Sequence, residues 1–491
     1  MIFRLFYLMY LVFRYRIWFL LAVFPNKFYF FFKIFYHKSS MDKNMINLIE
    51  FLEKSGPVFI KLGQIFSTRY DIFDKNTINH FAKLTDFVKS QNFVDIKPLI
   101  EKELNRNIED IFDEFLEIEI GSGSLAQVYK AKIKNQKNFV AVKILRKDIQ
   151  TKVQQDIKLM KLFAKILEKI FLEAKRMKFL MVVNKLEKIL KLEMDLRFES
   201  SFNMEIKRET TNISFYEVPN VYSKYTTKNL MITEFIDGVS LLNKNKLIQY
   251  NINKKIALEN IIYVFFYQMF VVGVFHGDFH PGNILIKKNN TIATIDHAIL
   301  EILNVKTRKA VLELFLAFLN KNYKRAAEIH FENGWIDDKY DVDEFAIACS
   351  AILEGVFEKD SLDISIGDLI SQLFYITKMY NMKTQEDLIL IQKNLLILEG
   401  IGRELYPEIN MWVLGKNIIE KIDKDYNLSL KYTTEIFKNT IKNGYKKLLN
   451  FNANQNIVNI VNYKKEFSIL IFYIKLIVLA LFMLLCVLFL K

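Results

Sequence analysis

Along this 491-residue chain the spacing of hydrophobic and polar positions changes more than once. Between Phe115 and Leu145 it is short-range: Phe115-Leu-Glu-Ile-Glu-Ile120, Val128-Tyr-Lys-Ala-Lys-Ile133 and Phe139-Val-Ala-Val-Lys-Ile-Leu145 predict three strands. The first two flank a loop, Gly121-Ser-Gly-Ser-Leu-Ala-Gln127. A further strand, Asn229-Leu-Met-Ile-Thr-Glu-Phe-Ile-Asp-Gly238, ends in a turn, and residues 283–287 and 291–295 read as a hairpin. Helical period takes over from Lys185 to Met204 and again through residues 303–450, as in Thr307 to Ala317 and Gln385 to Leu395. After Pro57 a helix would carry Lys61, Gln64, Thr68 and Asp71 on one face and Phe59, Leu62, Phe66 and Phe73 on the other. A small sheet followed by a long helical half predicts the α+β class.

The two ends have no such rhythm. Residues 467–490 are apolar apart from Lys475, long enough for one transmembrane helix. Residues 1–40 hold six basic residues and no acidic one, and sixteen aromatics lie among the first 36. Their longest uncharged run, Ile17 to Asn26, contains Pro25 and is too short to span. An interfacial segment facing anionic lipid headgroups fits better. That concentration of charge absorbs much of the formal +14, and no nucleic-acid signature accompanies it, so no nucleic-acid partner is expected. Cys349 and Cys486 form neither a disulfide framework nor a zinc spacing.

The chemistry concentrates in His276-Gly-Asp-Phe-His-Pro-Gly-Asn283. Asp278 precedes Asn283 by five residues and Asp296 by eighteen. Kinases place a reacting-end Asp, a metal-binding Asn and a second metal Asp in this order. Asp278 is therefore the candidate at the reacting phosphate, with Asn283 and Asp296 the candidates for Mg2+. Gly121, Ser122, Gly123 and Ser124 form a phosphate-loop candidate, and Lys143 ends a Val-Ala-Val-Lys run that matches the nucleotide lysine of kinases. Glu234 and Ile236 fall where a kinase hinge would meet adenine. Asp195 and Glu199 would share a helix face, with Glu193 pointing elsewhere; alone, such a helix is usually solvated. The loop motif by itself also fits small-molecule kinases.

Gly56-Pro-Val-Phe-Ile-Lys-Leu-Gly-Gln-Ile-Phe-Ser-Thr-Arg69 resembles the KxGQ segment of the UbiB family of atypical kinases. Glu193-Met-Asp-Leu-Arg-Phe-Glu199 is similar to its E-x-D-x-x-x-E segment. The likeness runs from about Leu48 to Ala298. It implies a bilobal protein-kinase-like fold, an N-terminal KxGQ helical extension over the cleft and a C-terminal transmembrane helix. The corresponding regions are 1–40 (interfacial), 41–114 (extension), 115–240 (N-lobe), 241–450 (C-lobe) and 467–490 (span).

It further implies that Lys61 and Gln64 point into the site, that Lys61 meets Glu193 and Asp195, and that Glu199 pairs with Lys143. ATP and Mg2+ are the implied cofactors. Isoprenoid quinone intermediates and the enzymes that modify them are the implied partners, at a bacterial inner membrane with the kinase-like part on the cytoplasmic side. Three features depart from the pattern: glycines 121 and 123 where alanines are common, Asp296-His297-Ala298 in place of Asp-Phe-Gly, and room for one membrane helix instead of two. The expected activity is ATP hydrolysis supporting ubiquinone biosynthesis. The alternatives are a true protein or small-molecule kinase and a nucleotide-binding scaffold.

Overall fold

The computed structural model describes residues 2–17, 41–67, 75–81, 84, 90–170, 178–277, 279–357, 366–382, 385–436 and 438. The chain divides into Met1–Leu428 and Ser429–Lys491. In the second unit, residues 429–436 and 438 are described and helical. The expected membrane span at 467–490 lies outside the described residues, as do Thr68, Asp71 and Phe73. All that follows concerns the first unit.

Its strands, in chain order, are β1 (Phe112–Ser122), β2 (Ala126–Ile133), β3 (Phe139–Leu145), β4 (Tyr216–Glu217), β5 (Leu230–Glu234), β6 (Val239–Ser240), β7 (Val274–His276), β8 (Ile284–Ile286), β9 (Ile292–Thr294) and β10 (Leu300–Ile302). The three alternating runs become an antiparallel sheet, β1-β2-β3-β5. Strand periodicity decides the faces. Val140, Val142 and Ile144 on β3 pack with Ile96 and Ile100 of the helix Phe93–Leu104. Lys143, between Val142 and Ile144, therefore faces the opposite side. The loop is shorter than the sequence predicts, because Gly121 and Ser122 pair with Val128 and Gln127 and extend β1.

The helical period from Lys185 is interrupted. One helix, Phe179–Glu193, ends at Met194, and the next, Leu196–Glu209, starts at Asp195, whose side chain accepts the Arg197 N–H. Asp is a strong N-cap, and that preference overrides continuous helical period here. The expected single helix with Asp195 and Glu199 on one face is thereby corrected: Asp195 is a cap, and Glu199 alone lies within the helix.

A second core joins the helices Ile2–Arg14, Met41–Ser55, Pro57–Phe66, Ile149–Ile170 and Phe179–Glu193. Pro57–Phe66 follows Gly56, whose φ of 97° suits glycine. Within it, a Cβ at Gly63 would run into Leu84 Cδ1, so the glycine lets these segments approach.

The helical half begins with Lys254–Phe266, which is long enough to cross a bilayer together with the π-helical turn Tyr267–Val272. Most of that stretch is buried, as in a core helix. Asparagine is frequent in the sequence and starts several helices here. Asn253, Asn304, Asn322 and Asn410 cap the helices that follow them by accepting backbone N–H groups.

Candidate nucleotide site

Lys143 sits between two acids. Its Nζ lies 2.6 Å from Glu199 Oε1 and 3.1 Å from Asp296 Oδ2. Burial works against the ammonium, but Asp296 and Glu199 outweigh it and hold its pKa above the ordinary lysine range. Burial also resists ionisation of Asp296, yet Lys143 and the Ala298 N–H, at 3.0 Å from Oδ1, keep that carboxyl well below its usual value. Glu199 bears the remaining strain. Burial, with Asp296 and Glu193 nearby, pushes it up to about 7 despite Lys143.

The loop between β1 and β2 is fastened by Arg146, a residue the sequence reading did not single out. Its Nη2 donates to Ser122 Oγ at 2.7 Å and its Nε to the Gly123 carbonyl at 3.0 Å. Gly123 N–H closes the turn on Ala126 O at 2.9 Å, and Ser124 is buried beside it. At the hinge position, the Glu234 N–H donates to Asn220 O and its carboxylate accepts from Asn220 Nδ2 at 2.7 Å. The Ile236 carbonyl accepts from Gly238 N–H.

The β8–β9 hairpin brings the metal candidates together. Its register pairs Ile284 with Thr294, and Ile295 N–H donates to Asn283 O at 3.1 Å, so Asn283 and Asp296 leave the same end. His276 Nε2 donates to the Asp296 carbonyl, bracing the loop as kinase logic expects. His280, without an assigned role in the sequence, accepts Gly282 N–H at its Nδ1 and caps the turn Pro281–Asn283.

Asp278 lies outside the described residues. The residues on either side of it are held by buried Asn394 of the helix Glu386–Leu405. Asn394 accepts Phe279 N–H at 3.1 Å and donates to His276 O at 3.3 Å. Nothing in the local sequence around Asn394 signals this, because the contact spans more than a hundred residues.

Lys61 Nζ meets Glu193 Oε1 at 2.8 Å, with both side chains largely buried. A glutamate in the last turn opposes the helix dipole, and the Lys61 ammonium offsets that cost. Asp195, expected beside Lys61, is held by Arg197 through two side-chain contacts of 2.8 and 2.6 Å, which keep its carboxyl below the usual range. Its capping position turns it toward its own helix. Gln64 lies one turn beyond Lys61 and is partly buried; its carbonyl accepts Ser67 Oγ–H.

Residues 83–330 match the ABC1 atypical kinase-like domain, and residues 349–410 match the UbiB helical domain. A Vibrio cholerae protein called probable protein kinase UbiB is 37% identical over 374 residues, which is 75% of this chain and 69% of that protein. The chain belongs to the UbiB family. Proteins of the same description from Erwinia tasmaniensis and Photobacterium profundum are 34% and 35% identical, covering 76% and 75% of this chain and 69% and 68% of theirs. The UbiB match makes the fold protein-kinase-like with mixed α and β content. A solved complex of Rv3197 with erythromycin from Mycobacterium tuberculosis has a TM-score of 0.45 at 18% identity, covering 75% of this chain and 96% of that one. Asn394 falls within the stretch matching the UbiB helical domain, so that stretch contacts His276 and Phe279 directly.

Proposed function

We propose that this UbiB-family chain is a membrane-associated, magnesium-dependent ATPase supporting isoprenoid quinone (ubiquinone) biosynthesis. The observation that carries the reading is Lys143, largely buried and held between Glu199 and Asp296 at 2.6 and 3.1 Å. An ammonium fixed in a low-dielectric cleft is what a triphosphate requires. The cluster has one more carboxylate than ammonium, and Asn283 adds an oxygen donor beside Asp296. Oxygen donors with surplus negative charge suit a hard divalent cation. Asn283 and Asp296 would hold magnesium, which when bound neutralises phosphate charge.

The first helix supports a lipid partner. Arg4, Leu8 and Leu11 face inward, and Arg4 makes a bidentate pair with buried Asp156 at 2.6 and 2.7 Å. Phe3, Phe6, Tyr10 and Phe13 are exposed on its other side, Phe3 at 91%. An aromatic face beside a stretch with no acidic residue fits an anionic bilayer surface, where isoprenoid intermediates reside. We place the chain at a bacterial inner membrane, its kinase-like part on the cytoplasmic side.

Hydrolysis is favoured over transfer to a protein acceptor because the Lys61–Glu193 pair fixes Pro57–Phe66 to the end of Phe179–Glu193, directly before the helix that carries Glu199. The test is ATP hydrolysis by purified protein with magnesium and anionic vesicles. Turnover stimulated by the vesicles and lost in Asp296→Asn supports the reading; phosphate appearing on an added acceptor protein would contradict it.

A further inference from the structure

The Lys143 cluster closes on itself through a second, uncharged link. Glu199 and Asn203 are one turn apart on the helix Leu196–Glu209, so they share a face. Both are buried, at 4% and 1% exposure. Asn203 Nδ2 donates to His297 Nδ1 at 3.4 Å. His297 follows Asp296, and Asp296 returns to Lys143 at 3.1 Å, which meets Glu199 at 2.6 Å. The path runs from Lys143 to Glu199, along one helical turn to Asn203, across to His297, back through Asp296 and home to Lys143.

His297 is fixed from its far side as well. Its Nε2–H donates to Thr294 Oγ1 at 2.8 Å, and Thr294 is bonded in turn to Tyr216 Oη. Tyr216 Oη accepts from Gln268 Nε2 at 3.0 Å, and Gln268 Oε1 accepts the His276 N–H at 3.2 Å. Gln268 reaches this position from the π-helical turn Tyr267–Val272, a local distortion of the kind that re-aims a side chain. A buried polar chain of this length specifies one arrangement when its members are bonded.

Asn203 is the imperfect member. Its Oδ1 is buried and has no hydrogen-bond partner among the described residues. Leaving a buried acceptor unmet costs stability, and a leucine of the same branched shape would only exchange Asn203 Oδ1 for His297 Nδ1 as the unmet atom. Folding alone therefore gives a weak reason for asparagine at this position.

We infer that Asn203 and His297 are positioning residues whose hydrogen bond ties the helix carrying Glu199 to the loop carrying Asp296. With that bond made, Lys143 meets both acids at once and Asp296 is presented beside Asn283. The inference rests on the magnesium-nucleotide reading above and adds to it how the acids are held. The histidine in the Asp296-His297-Ala298 triplet thereby gains a role: it replaces apolar packing with a directional bond.

The experiment is calorimetric titration of ATP into the full chain at a series of magnesium concentrations, with melting temperature recorded for each variant. Asn203→Leu is expected to melt near the wild-type temperature, since it removes the unmet Asn203 Oδ1 but leaves His297 Nδ1 unmet in its place. The magnesium concentration for half-maximal ATP binding should rise about threefold to tenfold, the range of one neutral hydrogen bond. His297→Leu should give a comparable rise. The double variant should exceed neither single one by much, since the same link is broken once.

Unchanged magnesium dependence in Asn203→Leu overturns the inference, and so do shifts that simply add in the double variant. Should Asn203→Leu fail to fold, Asn203→Ala is read by the same criteria. Wild-type protein that binds no ATP with magnesium overturns the nucleotide reading and the inference with it; wild-type binding with an indifferent variant overturns the inference alone.

Discussion

Lys61 and Lys143 are both largely buried and meet carboxylates, and their described surroundings differ in charge balance. Lys61 meets Glu193 across 2.8 Å, one carboxylate to one ammonium among the described residues, and this balanced pair ties Pro57–Phe66 to the end of Phe179–Glu193. Lys143 faces two acids, Glu199 and Asp296. A balanced pair has little to gain from another cation. The unbalanced cluster does: Glu199 is pushed up to about 7, chiefly by burial and further by Asp296 and Glu193, in spite of Lys143. Similar residue types therefore give a structural tie in one place and, on the function proposed above, a receptor for a cation and its ligand in the other.

Removing each lysine tests that contrast most severely. Lys143→Met should lower magnesium-dependent ATP turnover by at least about a hundredfold, as expected for losing a preorganised charge at the phosphates. Neutralising its partner in Glu199→Gln should not bring turnover back, because the missing element is the charge itself. Steady-state hydrolysis rates decide this, and recovery in the double variant would remove the distinction between the two sites.

At the balanced site the same treatment should behave differently. Lys61→Met takes the ammonium away from Glu193 and should destabilise the fold by about 3 kcal/mol, the scale for breaking a buried pair from one side. Adding Glu193→Leu should recover most of that loss in a denaturant titration, since an apolar pair can replace a balanced one. A double variant as unstable as the single would show that Lys61 serves something besides Glu193.

A smaller effect is expected from Asn394→Leu. It removes the hydrogen bonds to His276 O and Phe279 N–H, and should slow hydrolysis about tenfold at an expense of about 2 kcal/mol in stability. Equal loss of stability with unchanged turnover would make the helical domain a passive support.

His330 sharpens the comparison from outside the cleft, as a buried base bonded to a backbone carbonyl, Ala326 O, at 2.7 Å. Burial holds its pKa down at about 4, so the fold favours the neutral ring. A depressed base contributes stability that is present above its unfolded pKa of about 6.5 and is lost as pH falls toward 4. His330→Gln should flatten stability between those values, by about 2 kcal/mol at pH 5 relative to pH 7. Thermal melts across that range measure it, and an unchanged slope would assign acid sensitivity to other groups such as His297, which burial also holds low.

The strands that position Lys143 and the hairpin that places Asn283 beside Asp296 were legible, because period-two alternation and turn residues act locally. The Lys143–Glu199 pair was reached only through family resemblance, since the two are 56 residues apart and no local rule joins them. The break at Met194–Asp195 was hidden by a helical period that continues through it, although Asp is itself a capping signal. Arg146, Asn203 and Asn394 were missed for a shared reason. Each is defined by what it touches across the fold, and an arginine or asparagine in sequence looks the same whether solvated or buried. Gly121 and Gly123 mark the loop in sequence, whereas Arg146 fastens it from outside the motif.

The most direct test of the cleft as a magnesium-nucleotide receptor is calorimetric titration of ATP with and without magnesium, on wild type and Asp296→Asn. The account predicts that magnesium tightens ATP binding at least about tenfold in the wild type, the scale of one charge-assisted contact. That gain should disappear in a variant that melts normally. Equal magnesium enhancement in Asp296→Asn would contradict the account, because the surplus carboxylate would then have no part in holding the ion.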